Sequence, residues 1–168
     1  MRIVEDLRPQ ALSAGAFAAF GDVVEAGENF ELINDGTTRQ FADLAKIDVA
    51  ADGGHPRISI YRTTPHALPL TIRMLERHPH SSQLFMPLSG EPFLVVVAPA
   101  GEDPEAATVR AFVTDGRQGV NYRRGTWHHP LIALRDPSEF LVIDRAGRGR
   151  NCDEYFFRDE GVVLQRPA

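Results

Sequence analysis

The most polar stretch of the chain, ERHPHSSQ, begins at Glu76 and directly follows an apolar run. If the preceding strand continues to His80, then Glu76, His78 and His80 share one of its faces, because side chains alternate along a strand. Neutral imidazoles two residues apart suit a divalent transition metal, and a nearby amide or carboxylate can add an oxygen ligand. On its own the HxH spacing is also common in surface turns. The stretch nevertheless predicts a metal site that contains His78, His80 and Gln83.

A second histidine cluster, WHHP, begins at Trp127 and follows the segment GVNYRRG. A strand that turns at Gly125 would present His128 or His129 to the interior, but not both, because neighbouring side chains point to opposite faces. Alternation leaves open which of the two is a third histidine ligand, and the cupin-like spacing after Gly125 favours His128. His129 is then a candidate acid or base.

Together the two clusters resemble the two halves of a cupin metal site. The first half of that pattern has a histidine pair and an acid or amide before a glycine, and here it is filled by His78, His80, Gln83 and Gly90. In the second half a glycine precedes a third histidine, as Gly125 precedes His128. The chain departs from the pattern in two places, since Gln83 replaces the usual glutamate, one residue early, and Arg123 replaces a proline.

Arginine side chains are the candidates for holding an anionic substrate, because a guanidinium group can bind a carboxylate through two parallel hydrogen bonds. Arg62 and Arg145 each end a predicted strand, where a long side chain can turn into a barrel mouth. Arg77 alternates away from Glu76 and is a weaker candidate. Taken singly, each of these arginines could instead be solvated or paired with an acid such as Asp144.

Two aromatic residues near the second cluster, Tyr122 and Trp127, are candidates for the wall of a substrate pocket. Each would serve equally well in a barrel core if its polar atom found a hydrogen-bond partner. Cys152 would act as a nucleophile only beside an activating group, and we interpret it as structural.

The elements that must position these residues are mostly short strands. One early helix is predicted from Ala14 to Phe20, because Ser13 can cap it and Gly21 can end it. A second short helix could open at Asp103, before a proline. The other apolar segments alternate with turn residues and predict strands: ISIYR from Ile58, LTIRMLER from Leu70, QLFMPL from Gln83, PFLVVVAP from Pro92, VRAFV from Val109, GVNY from Gly119, LIAL from Leu131, FLVID from Phe140 and YFF from Tyr155.

This pattern predicts a mainly β fold, a cupin-like jelly-roll barrel with one or two short helices, in a single domain over residues 1–168. A net charge of -5 gives no reason to expect a nucleic-acid partner. The longest apolar run, Phe93 to Ala100, is much shorter than the roughly 20 residues of a membrane span. The single cysteine cannot form an internal disulfide, which predicts a cytoplasmic protein.

Three longer strings resemble the ureidoglycolate lyase family: LTIRMLERHPHSSQLFMPLSGEPFLVVVAP, GRQGVNYRRGTWHHPLIAL and FLVIDRAGRGRNCDE. The resemblance extends through AFAAFGDVVE and INDG near the start of the chain. It implies a cupin-like barrel, a homodimer, and a lyase of allantoin and purine breakdown that converts ureidoglycolate into urea and glyoxylate. It also implies a divalent metal ion, Ni²⁺ above others.

Such a reaction cleaves a hemiaminal, whose central carbon carries a hydroxyl, a carboxylate and a ureido nitrogen. A base must take the hydroxyl proton as the carbonyl forms, and an acid must protonate the departing urea. We expect a metal held by His78, Gln83 and His128 to lower the pKa of the substrate hydroxyl. Glu76 or the remaining histidine would then move the protons.

Three other functions stay open on the sequence. A ureidoglycolate amidohydrolase would release ammonia and carbon dioxide in place of urea, but the chain has few acidic candidates for the richer metal site it would need. A non-catalytic cupin would bind glyoxylate or ureidoglycolate without turnover. A cupin dioxygenase would need redox-active iron, and Gln83 in place of the usual acid argues against it.

Overall fold

The computed structural model describes residues 2–158 and 160–168. Its helices are short: α1 (Ala14–Phe17) and the 3-10 helices η1 (Ala51–Gly53) and η2 (Ala106–Thr108). The strands are β1 (Arg2–Leu7), β2 (Gln10–Ala11), β3 (Gly21–Val24), β4 (Glu31–Ile33), β5 (Thr38–Gln40), β6 (His55–Thr63), β7 (Leu70–Ile72), β8 (Met74–Arg77), β9 (Gln83–Pro87), β10 (Phe93–Ala98), β11 (Arg110–Val113), β12 (Gly119–Tyr122), β13 (Trp127–His128), β14 (Ile132–Ala133), β15 (Ser138–Ala146), β16 (Asp153–Phe156) and β17 (Glu160–Leu164).

These strands form three stacked sheets and a separate β4-β5 hairpin. A five-stranded sheet has the order β3-β12-β9-β15-β6, so that β6 lies at its edge. A seven-stranded sheet has the order β16-β8-β13-β10-β11-β2, with β14 also paired to β10. A three-stranded sheet, β1-β17-β7, completes the set. The chain is mainly β with little helix, as predicted, and consistent with a cupin-like architecture.

Strand β10, FLVVVA, explains how the layers stack. Every residue of this strand is buried. Phe93, Val95 and Val97 contribute to the core shared with the five-stranded sheet. Their neighbours, such as Leu94 and Val96, contribute to a second core shared with the three-stranded sheet. A continuous apolar run is what a strand needs when both of its faces are covered.

Two predicted helices and one predicted strand differ from the observed elements. The predicted helix to Phe20 stops earlier, because the peptide N–H of Phe20 bonds the carbonyl of Phe17 and closes a tighter turn there. The segment LTIRMLER, predicted as one strand, divides into β7 and β8, which belong to different sheets. The helix predicted near Asp103 occurs slightly later, as η2.

Strand β8 ends at Arg77, which matters for the polar stretch that follows it. The alternation of side chains therefore does not extend regularly to His80.

Among the described residues, no helix has both the length and the apolar character that crossing a membrane would require.

Candidate active site

A cavity of about 700 Å³ is lined by residues from both larger sheets. The five-stranded sheet contributes inward-facing residues of β6, β9 and β15, and β8 contributes from the seven-stranded sheet. The lining includes Arg57, Tyr61, Arg62, Thr63, His66, Glu76, His78, Gln83, Phe85, Pro130, Leu131, Asp144, Arg145, Asn151 and Cys152. Clefts of this volume in which a few polar groups converge are typical of small-molecule sites.

His128 is held rigidly at the side of this space. Strand β13 pairs it with Glu76 of β8, and its side chain is only 1% exposed. Its ring stacks on Tyr122 with centroids 4.2 Å apart. The Nδ1 atom lies 3.0 Å from the carbonyl oxygen of Thr126 and must donate to it, because a carbonyl only accepts. The Nε2 atom is buried and has no hydrogen-bond partner; it carries a lone pair when the ring is neutral and a proton when the ring is charged.

His78 is oriented in the same way. Its Nδ1 atom donates to the carbonyl of Asn151 at 2.6 Å, which leaves the lone pair of Nε2 facing Oε1 of Gln83 at 2.9 Å. Burial, and then the charge of His128, lower the pKa of His78, and so favour the neutral ring. Two acceptor lone pairs at this distance repel each other. Either a cation lies against both atoms, or the Gln83 amide turns so that its nitrogen donates.

Glu76 completes the group. Its Oε1 atom lies 3.5 Å from Nε2 of His128, and its Oε2 atom accepts from the thiol of Cys152 at 3.7 Å. Burial by itself raises the pKa of Glu76, but His128, His78 and Cys152 together lower it below the ordinary value. The carboxylate is therefore ionised near neutral pH.

We call Glu76, His78, Gln83 and His128 the acceptor cluster. One ligand atom each from Glu76, His78 and His128 lie within 4.8 Å of one another. Both imidazoles are fixed from behind by backbone carbonyls, the usual arrangement for metal-binding histidines. The orphaned Nε2 of His128 and the facing acceptors fit a bound cation. These residues could hold a metal ion.

The structure places His80 outside this cluster. Its Nδ1 atom lies 3.1 Å from a carboxylate oxygen of Asp52, and its side chain is 40% exposed. The reason is the end of β8 at Arg77, after which the chain turns and strand alternation no longer applies. The pair two residues apart that enters the cluster is instead Glu76 and His78.

The predicted arginines have partners of their own. Arg62 projects from β6 with 77% of its side chain exposed, and bonds Glu139. Arg145 is buried, and its guanidinium group donates to the carbonyls of Ala51 and Arg148. Both line the cavity, but each is engaged by protein groups. Arg77 lies over the ring of Trp127, 4.6 Å from its centroid, and pairs with Asp153.

The predicted aromatic residues and His129 do not line the cavity. Tyr122 supports His128 from behind, while Trp127 packs in the second core and donates to the carbonyl of Gly101. As predicted, only one histidine of the pair faces the interior. His129 bonds the carbonyl of Pro130 through Nδ1, and its ring meets His66 edge to face at 6.2 Å. His66 does line the cavity.

Several residues that line the cavity were not predicted as site residues from the sequence. Arg57 donates through Nε and Nη2 to the two carboxylate oxygens of Asp144, both at 2.8 Å. Strand β6 begins at His55, whereas the sequence pattern began it at Ile58, so Arg57 fell outside the predicted element. If β6 had been predicted to begin at His55, the alternation of its side chains would have placed Arg57 on the same face as Tyr61. Cys152 and Asn151 arrive from a loop about 70 residues away from His78 in sequence.

The thiol of Cys152 differs from an activated nucleophile. Burial, and then the charge of Glu76, raise the pKa of Cys152 to about 11. The thiol is therefore protonated near neutral pH, and as a proton donor it supports the Glu76 carboxylate.

The chain matches a family model described as ureidoglycolate lyase over residues 4–164. It is 53% identical over 160 residues to a ureidoglycolate lyase from Azotobacter vinelandii, covering 94% of this chain and 96% of that protein. A ureidoglycolate lyase from Pseudomonas aeruginosa is 51% identical over 162 residues, with 96% of each chain covered. One from Pseudomonas syringae is 52% identical over 159 residues, with 94% of each covered.

Proposed function

Because the chain belongs to the ureidoglycolate lyase family, we propose that it cleaves ureidoglycolate into urea and glyoxylate, a step of allantoin and purine breakdown. The site observation that carries this proposal is the acceptor cluster, in which the buried Nε2 of His128 has no protein partner and faces Glu76. The cluster opens on a cavity large enough for a small hydroxy acid.

We infer that His78, Gln83 and His128 hold a divalent metal ion, and that Glu76 takes the position the sequence analysis gave to His80. The set of two imidazoles, an amide and a carboxylate suits a first-row transition metal, and family resemblance favours Ni²⁺. When bound, such an ion would lower the pKa of the substrate hydroxyl.

Glu76 is also our choice for the proton carrier. Its Oε1 atom faces His128, whereas Oε2 meets the weak thiol donor of Cys152 and remains available as a base. Its lowered pKa keeps it ionised and ready to accept the hydroxyl proton. As the carbonyl of glyoxylate forms and the C–N bond breaks, the same carboxyl can return that proton to the urea nitrogen. The step is then balanced, because one proton moves from oxygen to nitrogen.

The decisive experiment is a turnover assay with (S)-ureidoglycolate that measures urea, glyoxylate and ammonia separately. It should be run on the protein as purified, after chelation, and after nickel is restored. We expect urea and glyoxylate in equal amounts, lost on chelation and recovered with nickel. Ammonia without urea would identify an amidohydrolase instead, and ligand binding without product would identify a non-catalytic barrel. Activity that survives complete metal removal would refute the metal while keeping the lyase.

We further propose that the protein is a cytoplasmic homodimer that associates through the outer face of the five-stranded sheet. On that face Ile58 is 71% exposed and Ile60 57% exposed. They pair across the strands with Ile143 and Leu141, which are partly exposed. An apolar surface of this kind on adjacent strands is typical of an interface, and a two-fold axis would bury two copies of it together.

Light scattering after size-exclusion chromatography tests the dimer. For the wild type we expect twice the chain mass of 18.6 kDa. For Ile60→Glu we expect the measured mass to shift toward that of a single chain. Leu32→Glu is the matched control, because Leu32 is 61% exposed but lies on the separate hairpin. A monomeric wild type would contradict the proposal.

A further inference from the structure

Three arginines line the cavity, and they differ in the groups that their N–H donors bind and in how firmly those groups are buried. Arg145 donates from Nε, Nη1 and Nη2 to backbone carbonyls. Arg62 directs Nε and Nη2 to one oxygen of Glu139 and is largely in solvent. Arg57 uses Nε and Nη2 on Asp144. Within the described part of the chain, the Nη1 groups of Arg57 and Arg62 have no hydrogen-bond acceptor. Arg57 is the less exposed of the two, at 54% against 77%, and only its acid partner is buried, with Asp144 at 9% and Glu139 at 34% exposure.

The contact with Asp144 fixes the direction of the unused edge of Arg57. The Asp144 side chain is only 9% exposed, and it grips the Nε edge of the guanidinium with both oxygens at 2.8 Å. A planar guanidinium has a second edge, formed by Nη1 and Nη2, with the geometry to bind another carboxylate. Because Asp144 holds the group in place, little conformational entropy is lost when that edge binds a ligand.

The surroundings of Arg57 belong to the same cavity as the acceptor cluster. Arg57 and Tyr61 are four residues apart on β6 and so project from the same face of this strand. The ring of Tyr61 packs against Phe85 of β9 with centroids 6.0 Å apart, and all three residues line the cavity. Burial, and then the charge of Asp144, raise the pKa of Tyr61, so this phenol is neutral beside the Arg57–Asp144 pair.

We propose that Arg57, positioned by Asp144, binds the carboxylate group of the substrate and of glyoxylate. This inference rests on the proposed lyase function and assigns one substrate group to one residue. The free edge of Arg57 would hold the carboxylate while the hydroxyl-bearing carbon faces the acceptor cluster. Urea is neutral and lacks this group, so glyoxylate would depend on Arg57 for binding and urea would not.

The test compares glyoxylate binding by calorimetry and the KM for ureidoglycolate in the wild type, Arg57→Met and Arg57→Lys, each with its metal restored. We expect Arg57→Met to weaken glyoxylate binding and to raise KM, each by at least about tenfold, since a charged bidentate contact is lost. Arg57→Lys keeps the charge without the fork and should recover only part of the loss. It also serves as the test if the methionine variant fails to fold.

Arg124→Met is the matched control, because Arg124 also pairs with an acid, Asp48, and does not line the cavity. It should leave both quantities within about twofold of the wild type. Unchanged glyoxylate binding in both Arg57 variants would overturn the inference, as would a larger loss in Arg62→Met. If the wild type releases no urea but glyoxylate binding still requires Arg57, the proposed function fails and the carboxylate site remains.

Discussion

The acceptor cluster and the Arg57–Asp144 pair each have some hydrogen-bonding groups that no protein group binds. In the cluster these groups are acceptors, and in the pair they are donors. In the cluster, backbone carbonyls accept hydrogen bonds from Nδ1 of His78 and His128, which leaves Nε2 of the two rings near Gln83 and Glu76. In the pair, a buried carboxylate takes one edge of a guanidinium and leaves N–H donors. At each place protein groups orient the side chains but leave some of their polar atoms without a partner. The acceptor cluster is therefore suited to a cation, and the free edge of Arg57 is suited to an anion.

The largest effect is expected when the buried imidazole of His128 is removed from the acceptor cluster. In His128→Ala we expect the rate of urea release and the affinity for the metal each to fall by at least about a hundredfold. Losing a ligand should cost at least as much as losing a group that supports one. Metal analysis of the purified variant and the urea assay measure the two effects.

Two further histidine variants show whether the cluster has been identified correctly. His55→Ala removes an exposed histidine from the start of β6 and controls for histidine loss in general. His80→Ala tests the position that strand alternation favoured. A loss of metal in His80→Ala as large as that in His128→Ala would restore His80 as a ligand and contradict the cluster described above.

Arg145 lines the same cavity as Arg57, but both edges of its guanidinium group already donate to backbone carbonyls. Arg145→Met should lower the free energy of unfolding by about 2 kcal/mol, since carbonyls of Ala51 and Arg148 lose a charged donor. The KM for ureidoglycolate should rise far less than in Arg57→Met. Urea denaturation and steady-state kinetics provide the two measurements. A tenfold rise in KM without loss of stability would make Arg145 a substrate ligand.

The lowered pKa of His78 predicts how the metal-free protein responds to acid. An unfolded histidine gains its proton near pH 6.5, whereas folded His78 resists protonation to a lower pH. The unfolded state therefore binds more protons in this window, and stability should fall as the pH drops below about 6.5. In chelated His78→Gln the decline should be shallower between pH 7 and 5. Denaturant unfolding curves at each pH measure it, and equal slopes in the two proteins would contradict the prediction.

The sequence was sufficient for the parts of the fold and site that depend on local pattern. Alternation of apolar residues predicted a mainly β chain, and it predicted that only one residue of His128 and His129 faces inward. His78 and Gln83 were candidates because of the histidine spacing, the nearby amide and the cupin-like pattern, and both line the cavity. The position of these residues could be predicted because it depends on local pattern, whereas the role of His78 and Gln83 as metal ligands stays a prediction.

The remainder depends on where strands end and on contacts between distant segments. Whether His80 or Glu76 joins His78 depends on the end of β8 at Arg77, and sequence patterns place such boundaries poorly. Arg57 was missed because β6 begins three residues before its apolar pattern. Asn151 and Cys152 reach the site from a loop, and no local signal indicates which strand end a loop will approach.

The smallest effect is expected at Cys152, which supports the charge of Glu76 in the acceptor cluster as Asp144 supports the charge of Arg57. Asp144 holds Arg57 through two hydrogen bonds of 2.8 Å, whereas Glu76 is supported by one thiol at 3.7 Å, and a thiol is a weak donor. Cys152→Ala should therefore weaken metal affinity by no more than about tenfold, at the low end of what supporting contacts contribute. Competition with a chelator of known affinity measures this change. A hundredfold loss would mean that the sulfur itself binds the ion, and the cluster would then have a further ligand.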